Sequence, residues 1–125
     1  MPVRGIRGAI DVSDNQPDTI LDATQKLLET ILAANPQLRS EEIACGIFTT
    51  TADLSAAYPA QAARKMGWDM VPMICSQEIP VPGGLPRCIR VLLQWNTELA
   101  QHEIHHIYLG SAANLRPDLR KSDLP

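Results

Sequence analysis

"RCIRVLLQWN", residues 87–96, follows a Gly-Gly-Leu-Pro turn signal and is the strongest strand pattern in the chain. The segment is too apolar to face solvent on both sides, yet it contains an arginine. Residues two apart in a strand share a face, so Arg90 stands with Cys88 and Leu92. A guanidinium in such company is costly unless something anionic meets it.

Reading toward the N-terminus, "SQEIPVPGGLP" (76–86) is a loop, flanked by prolines and loosened by Gly83-Gly84. "MVPMIC" (70–75) is a strand interrupted by proline, hence edge-like or irregular. "YPAQAARKMG" (58–67) is a short helix with Pro59 in its first turn and Gly67 just past its end. "IACGIFTT" (43–50) is a buried strand. From Thr19 to Ala34, the apolar residues Ile20, Leu27, Leu28, Ile31 and Leu32 recur at helical spacing. "SDNQP" supplies capping residues and a proline ahead of that helix, and "NPQ" ends it. Residues 3–12 are a strand. Beyond the central strand, "IHHIYLG" (104–110) is another strand, followed by a short turn around "NLRPDL".

The order βαβαβββ describes a mixed α/β (α+β) fold with the long helix packed on one face of a mixed sheet. With so few helices the other sheet face needs a cover, which partner subunits can supply. The chain of 125 residues is of a size for a single domain, 1–125, with a polar C-terminal tail from about residue 120. Apolar content of 45% with 20% charged residues is that of a globular protein. No apolar run approaches the roughly 20 residues of a spanning helix, and "MPVRGIRG" lacks a signal-peptide core. The expectation is a cytoplasmic protein with no membrane association. A net charge of −3 argues against nucleic acid as a partner. Cys45, Cys75 and Cys88 form no CxxC pair and sit in apolar segments, as reduced thiols do.

A second arginine repeats the puzzle of Arg90. In "RGIRGAI" (4–10), Arg7 shares a face with Val3, Gly5 and Ala9, small enough neighbours to leave room beside its guanidinium. Each arginine is open to a structural reading, as a buried ion pair or a rim residue. Glu78, in the proline-flanked loop after Cys75, shifts the balance: two arginines against one glutamate leave a positive charge that a small dianion completes. Tyr108 can add a phenol donor or simply fill the core.

"HEIHH" (102–106) imitates the H-E-x-x-H zinc pattern, with Asp118 or Asp123 as a conceivable third ligand. That pattern works on a helix, and Ile104, Ile107 and Tyr108 favour a strand instead, with its histidines exposed. No metal is expected. Gly83-Gly84 lacks the G-x-x-x-x-G-K pattern of a phosphate loop. Cys75 has no histidine nearby in sequence to make it a nucleophile.

Taken together, "RGIRGA", "YPAQAAR" with "GW" soon after, "CSQE" followed by "GGLPRCIRVL", then "HHIYL" and "LRPDL" resemble the AroH class of monofunctional chorismate mutases. The resemblance runs from Val3 to about Leu119, and the joint order and spacing of the pieces is what makes it specific. It implies a homotrimer in a pseudo-barrel arrangement, with active sites between subunits. The implied reaction is the Claisen rearrangement of chorismate to prephenate, in phenylalanine and tyrosine biosynthesis, with no cofactor.

The resemblance also implies roles. Arg7 would hold the carboxylate of the substrate's side chain, and Arg90 a carboxylate and the ether oxygen. Glu78 would accept a hydrogen bond from the ring hydroxyl, with Cys75 beside it, and Tyr108 would help hold the side-chain carboxylate. Arg64 and Arg116 would lie near the cleft mouth, and Tyr58, Met73, Ile74 and Leu115 would shape its walls. The chain departs from the family pattern at Tyr58, where phenylalanine is common, and at Gln61, where lysine is frequent. Two other readings stand beside this one: a trimeric enamine/imine deaminase, and a non-catalytic trimer that binds a small carboxylate.

Overall fold

The computed structural model describes residues 1–114. Its strands and helices, in chain order, are β1 (Val3–Asp11), α1 (Pro17–Ala34), β2 (Ile43–Thr50), α2 (Ala60–Lys65), β3 (Met73–Gln77), β4 (Cys88–Asn96) and β5 (Ile107–Leu109). Short 3-10 turns cover Ser40–Glu42, Gln101–Glu103 and Gly110–Asn114. The βαβαβββ order expected from the sequence is the observed one. The strands form one mixed sheet in the order β3-β2-β4-β1-β5. β4 is antiparallel to both β1 and β2, while β2–β3 and β1–β5 are parallel.

β4 holds the middle because its alternate residues Ile89, Val91, Leu93 and Trp95 all bury on one face, where α1 lies. The helix answers with Ile20, Thr24, Leu27, Leu28 and Ile31. Each fully buried aliphatic side chain contributes about 1.5–3 kcal/mol, so this seam is the main source of stability. Gly8 of β1 lies under the seam. A β-carbon there would stand 2.9 Å from the Ile31 side chain and 3.2 Å from that of Leu27.

Pro17 sits in the first turn of α1, but the residue at its cap is Gln16, without a side-chain bond. The capping expected from "SDNQP" is therefore not made. Asn15 is used elsewhere: its Oδ1 accepts from the Ser55 and Ala56 N–H groups at 2.9 and 3.0 Å, tying the loop after β2 to the start of α1. α2 ends as expected at Gly67, whose φ of +91° suits glycine. Gly67 N–H bonds Arg64 O and Trp68 N–H bonds Ala63 O, closing the Schellman pattern.

The edge strand β3 starts after Pro72 rather than at residue 70 and runs on to Gln77, because proline has no N–H for the ladder. At the C-terminal end, the strand expected over 104–110 shortens to Ile107–Leu109. His102 lies in the 3-10 turn, and His105 and His106 precede the strand half-buried, so they are not exposed strand histidines. Nor do they share a helix, which removes the geometry of the zinc pattern. Leu115, Arg116 and the tail from about residue 120 lie outside the described residues. Among the described residues no helix is long and apolar enough to cross a membrane.

The sheet face away from α1 carries Arg7, Arg90, Leu92 and Ile47. Near Ala9, Cys88 and Tyr108 it is covered by Ala112 of the last 3-10 turn. At the other edge it is open, and Ile74 is 63% exposed.

Candidate active site

Two rows of paired residues cross this open face. One runs Tyr108–Ala9–Arg90–Thr49–Ser76 and the other Arg7–Leu92–Ile47–Ile74. Arg7 and Arg90 are therefore diagonal neighbours on adjacent strands. Ala9, paired with both Arg90 and Tyr108, keeps the space between them free of a large side chain. The Arg7 guanidinium carbon stands 5.9 Å from the centre of the Tyr108 ring, within cation–π range. Among the described residues Arg7 makes no ion pair.

Glu78 follows β3 directly, and its N–H bonds Thr50 O at 2.8 Å, so the chain is still tied to β2 at that point. The side chain folds back over the sheet, where Thr49 Oγ1 donates to Glu78 Oε2 at 2.6 Å. The same carboxylate oxygen lies 3.8 Å from Arg90 Nε, close enough to attract and too far for a hydrogen bond. Arg90 Nε is buried, and among the described residues it has no hydrogen-bond partner. A charged donor left this way inside a fold is costly, which makes Arg90 a candidate ligand contact. Beside it opens a cavity of about 480 Å³ lined by Glu78, Arg90, Ile79, Val81 and Leu85.

The approach of the chain to β4 is firmly held. Asp53 accepts from the Arg87 N–H with both oxygens, at 3.1 and 3.0 Å, and from Thr51 Oγ1 at 2.5 Å. These bonds, the Thr51 hydroxyl first, hold the Asp53 carboxyl below its ordinary value of 3.8. They keep Arg87 at a φ of +47°, unusual for a residue with a side chain, three residues before Arg90. Burial pushes the Cys88 thiol up, and the nearby Arg90 guanidinium opposes that in part.

The remaining expected residues gather elsewhere. Tyr58, Arg64, Met73, Ile74 and Cys75 surround a groove of about 270 Å³ at the β3 edge. Ile74 ends the row that starts at Arg7, three strand spacings or about 14 Å away. Cys75 pairs with Phe48 and packs against the core on the α1 side, so its side chain is turned away from the arginine face. The described chain thus brings together Arg7, Arg90, Glu78 and Tyr108, and keeps Tyr58, Arg64, Met73 and Ile74 apart from them.

Sequence reasoning missed Thr49, which holds the Glu78 carboxylate. "TTT" (49–51) carries three hydroxyls, and only the register of β2 selects the one that meets Glu78. It also left Asp11 out of the charge count. Asp11 shares the arginine face, but its Oδ1 accepts the Ser111 N–H at 2.9 Å and anchors the last 3-10 turn.

Residues 3–119 match the family described as chorismate mutase type I. The chain is 51% identical over 120 residues to the chorismate mutase AroH of Thermus thermophilus, covering 96% of this chain and 98% of that protein. It is 42% identical over 120 residues to the chorismate mutase AroH of Bacillus subtilis, covering 95% and 94%. A solved chorismate mutase from Clostridium thermocellum superposes with a TM-score of 0.84 at 48% identity, over 86% of this chain and 96% of that one. Extent, identity and fold agree, and the chain belongs to the type I chorismate mutase family.

Proposed function

We infer that the protein converts chorismate to prephenate by an intramolecular Claisen rearrangement. The observation that carries this reading is the buried Arg90 Nε, unbonded among the described residues, facing a cavity beside a tethered glutamate. Chorismate carries two carboxylates, an ether oxygen and a ring hydroxyl, which suits two arginines and one carboxylate acceptor. Arg7 and Tyr108 hold the side-chain carboxylate, Arg90 meets a carboxylate and the ether oxygen, and Glu78 accepts from the ring hydroxyl.

The reaction needs no acid, base, nucleophile or cofactor. As the C–O bond lengthens ahead of C–C formation, negative charge grows on the ether oxygen and positive charge on the ring. A guanidinium already aimed at that oxygen stabilises the transition state more than the ground state. Thr49 keeps Glu78 from collapsing into a close salt bridge with Arg90, so the guanidinium stays available. The cleft adds rate by selecting the folded conformer in which the reacting carbons are close.

A substrate of this size does not span the 14 Å or so from Arg7 to Ile74. The separation of the two residue groups supports a homotrimer in which the β3 edge of one subunit walls the arginine site of the next, with Ile74 on the open sheet face, Tyr58 and Arg64 beside it, and Met73 on the α1 side of the same edge. The resemblance also implies substrate contacts for Leu115 and Arg116, which lie outside the described residues. The test is direct: purified protein with chorismate and no added cofactor, followed by loss of chorismate absorbance and appearance of prephenate. Binding without turnover defeats the reading in favour of a carboxylate-binding trimer. Ammonia release from an imine, with chorismate untouched, defeats it in favour of a deaminase.

A further inference from the structure

β1 pairs with β5 over Gly8–Ile10, starting at Gly8 opposite Ile107. Arg7 stands one residue outside that ladder, where β5 has not yet begun. Its N–H is nonetheless satisfied: it donates to the ring Nδ1 of His106 at 3.0 Å. A side chain thus replaces the missing strand carbonyl at the residue whose guanidinium faces the site. A ring nitrogen that accepts a hydrogen bond carries no proton, so this imidazole keeps any proton of its own on Nε2.

The geometry points to His106 as a positioning residue that sets the backbone of Arg7 and, through it, the guanidinium. The inference rests on the proposed role of Arg7 as a carboxylate ligand. Arg7 needs such support because its neighbours on the same face, Gly5 and Ala9, have little side chain to pack against its stem. The guanidinium lies about 7 Å from its own α-carbon, so a backbone tilt of about 10° moves it by about 1 Å, a displacement large enough to cost up to about 100-fold. His106 is itself held from both sides in sequence. His105 N–H bonds Asn35 Oδ1 and His105 O accepts from Asn35 Nδ2, both at 3.0 Å, and Ile107 enters the ladder. The acceptor therefore has a fixed origin at the C-terminal end of α1.

Steady-state kinetics of four full-length variants test this. Asparagine places its carbonyl oxygen near the position of Nδ1, glutamine carries it one bond too far, and leucine has no acceptor. For His106→Leu and His106→Gln the KM for chorismate should rise about tenfold with a much smaller change in kcat, because a carboxylate contact is shared by ground and transition states. His106→Asn should stay within about twofold of the parent. Arg7→Ala is the control and should raise KM at least as much as His106→Leu. An upfield shift of the Arg7 amide proton in the leucine and glutamine variants, absent in the asparagine variant, reports the bond itself. If Arg7→Ala leaves KM unchanged, the role of Arg7 fails and the inference falls with it. If Arg7→Ala raises KM while asparagine and glutamine behave alike, the inference alone is overturned. That last pair decides the matter even where leucine impairs folding.

Discussion

Arg90 Nε lies 3.8 Å from Glu78 Oε2 and forms no hydrogen bond with it, although the two carry opposite charge. Thr49 explains the gap, since its hydroxyl holds that same oxygen at 2.6 Å. A half-exposed ion pair of this length stabilises the fold by about 1 kcal/mol at most. Its significance is that the guanidinium stays oriented and unsaturated.

If charge at the ether oxygen drives the reaction, replacing Arg90 by citrulline should lower kcat by about 10²–10³-fold or more, the scale for losing a preorganised donor. Lysine at position 90 should recover part of the rate, restoring charge without the fork. Near-normal kcat in the citrulline variant would leave conformer selection as the main source of catalysis.

Removing the tether should be milder. Thr49→Val should lower kcat/KM by about five- to tenfold, as expected for one hydrogen bond to a charged group, with the fold intact by circular dichroism. A variant with unchanged kinetics would mean that Glu78 needs no help to stay off Arg90.

The proposed sharing of the site between subunits predicts complementation. Arg7→Ala and Arg64→Glu chains, each with poor activity alone, are unfolded together in equal amounts and refolded. About a quarter of the interfaces should then carry neither change, and activity should return to about that fraction of the parent's. Activity no higher than the average of the separate variants refutes a shared site.

The Asp53 clamp has a pH signature. Its carboxyl titrates below 3.8 when folded, so the clamp's contribution to stability is fully present above that value and is lost as the pH falls through the depressed one. The thermal midpoint of the parent should exceed that of Asp53→Asn at pH 6, and the difference should shrink below about pH 4. A constant difference down to pH 3 would show that the charge does not matter.

Gly8→Ala should lower the thermal midpoint by several degrees, because the added methyl group meets Ile31 at 2.9 Å and overpacking of this kind costs about 1–3 kcal/mol. An unchanged midpoint would mean that the terminal methyl groups of Ile31 and Leu27 turn aside at little cost.

Much of this protein was legible in the chain because the signals are local. Alternation in 87–96, helical spacing from Ile20 to Leu32, Pro59 and Gly67 each act over a few residues, and each element formed where they pointed. Strand parity alone put Arg7 with Gly5 and Ala9, and Arg90 with Cys88 and Leu92, on single faces. What parity does not contain is register between strands. Only pairing made Arg7 and Arg90 diagonal neighbours, brought Tyr108 opposite Ala9, and chose Thr49 among three threonines. Nor does local sequence carry the competition for polar partners. Asn15 looked like a helix cap but bonds the chain 40 residues away, and His106 looked like an exposed strand residue but completes the backbone of Arg7. Such bonds go to whichever donor or acceptor the packed sheet leaves without a partner, and that is settled only when distant segments meet.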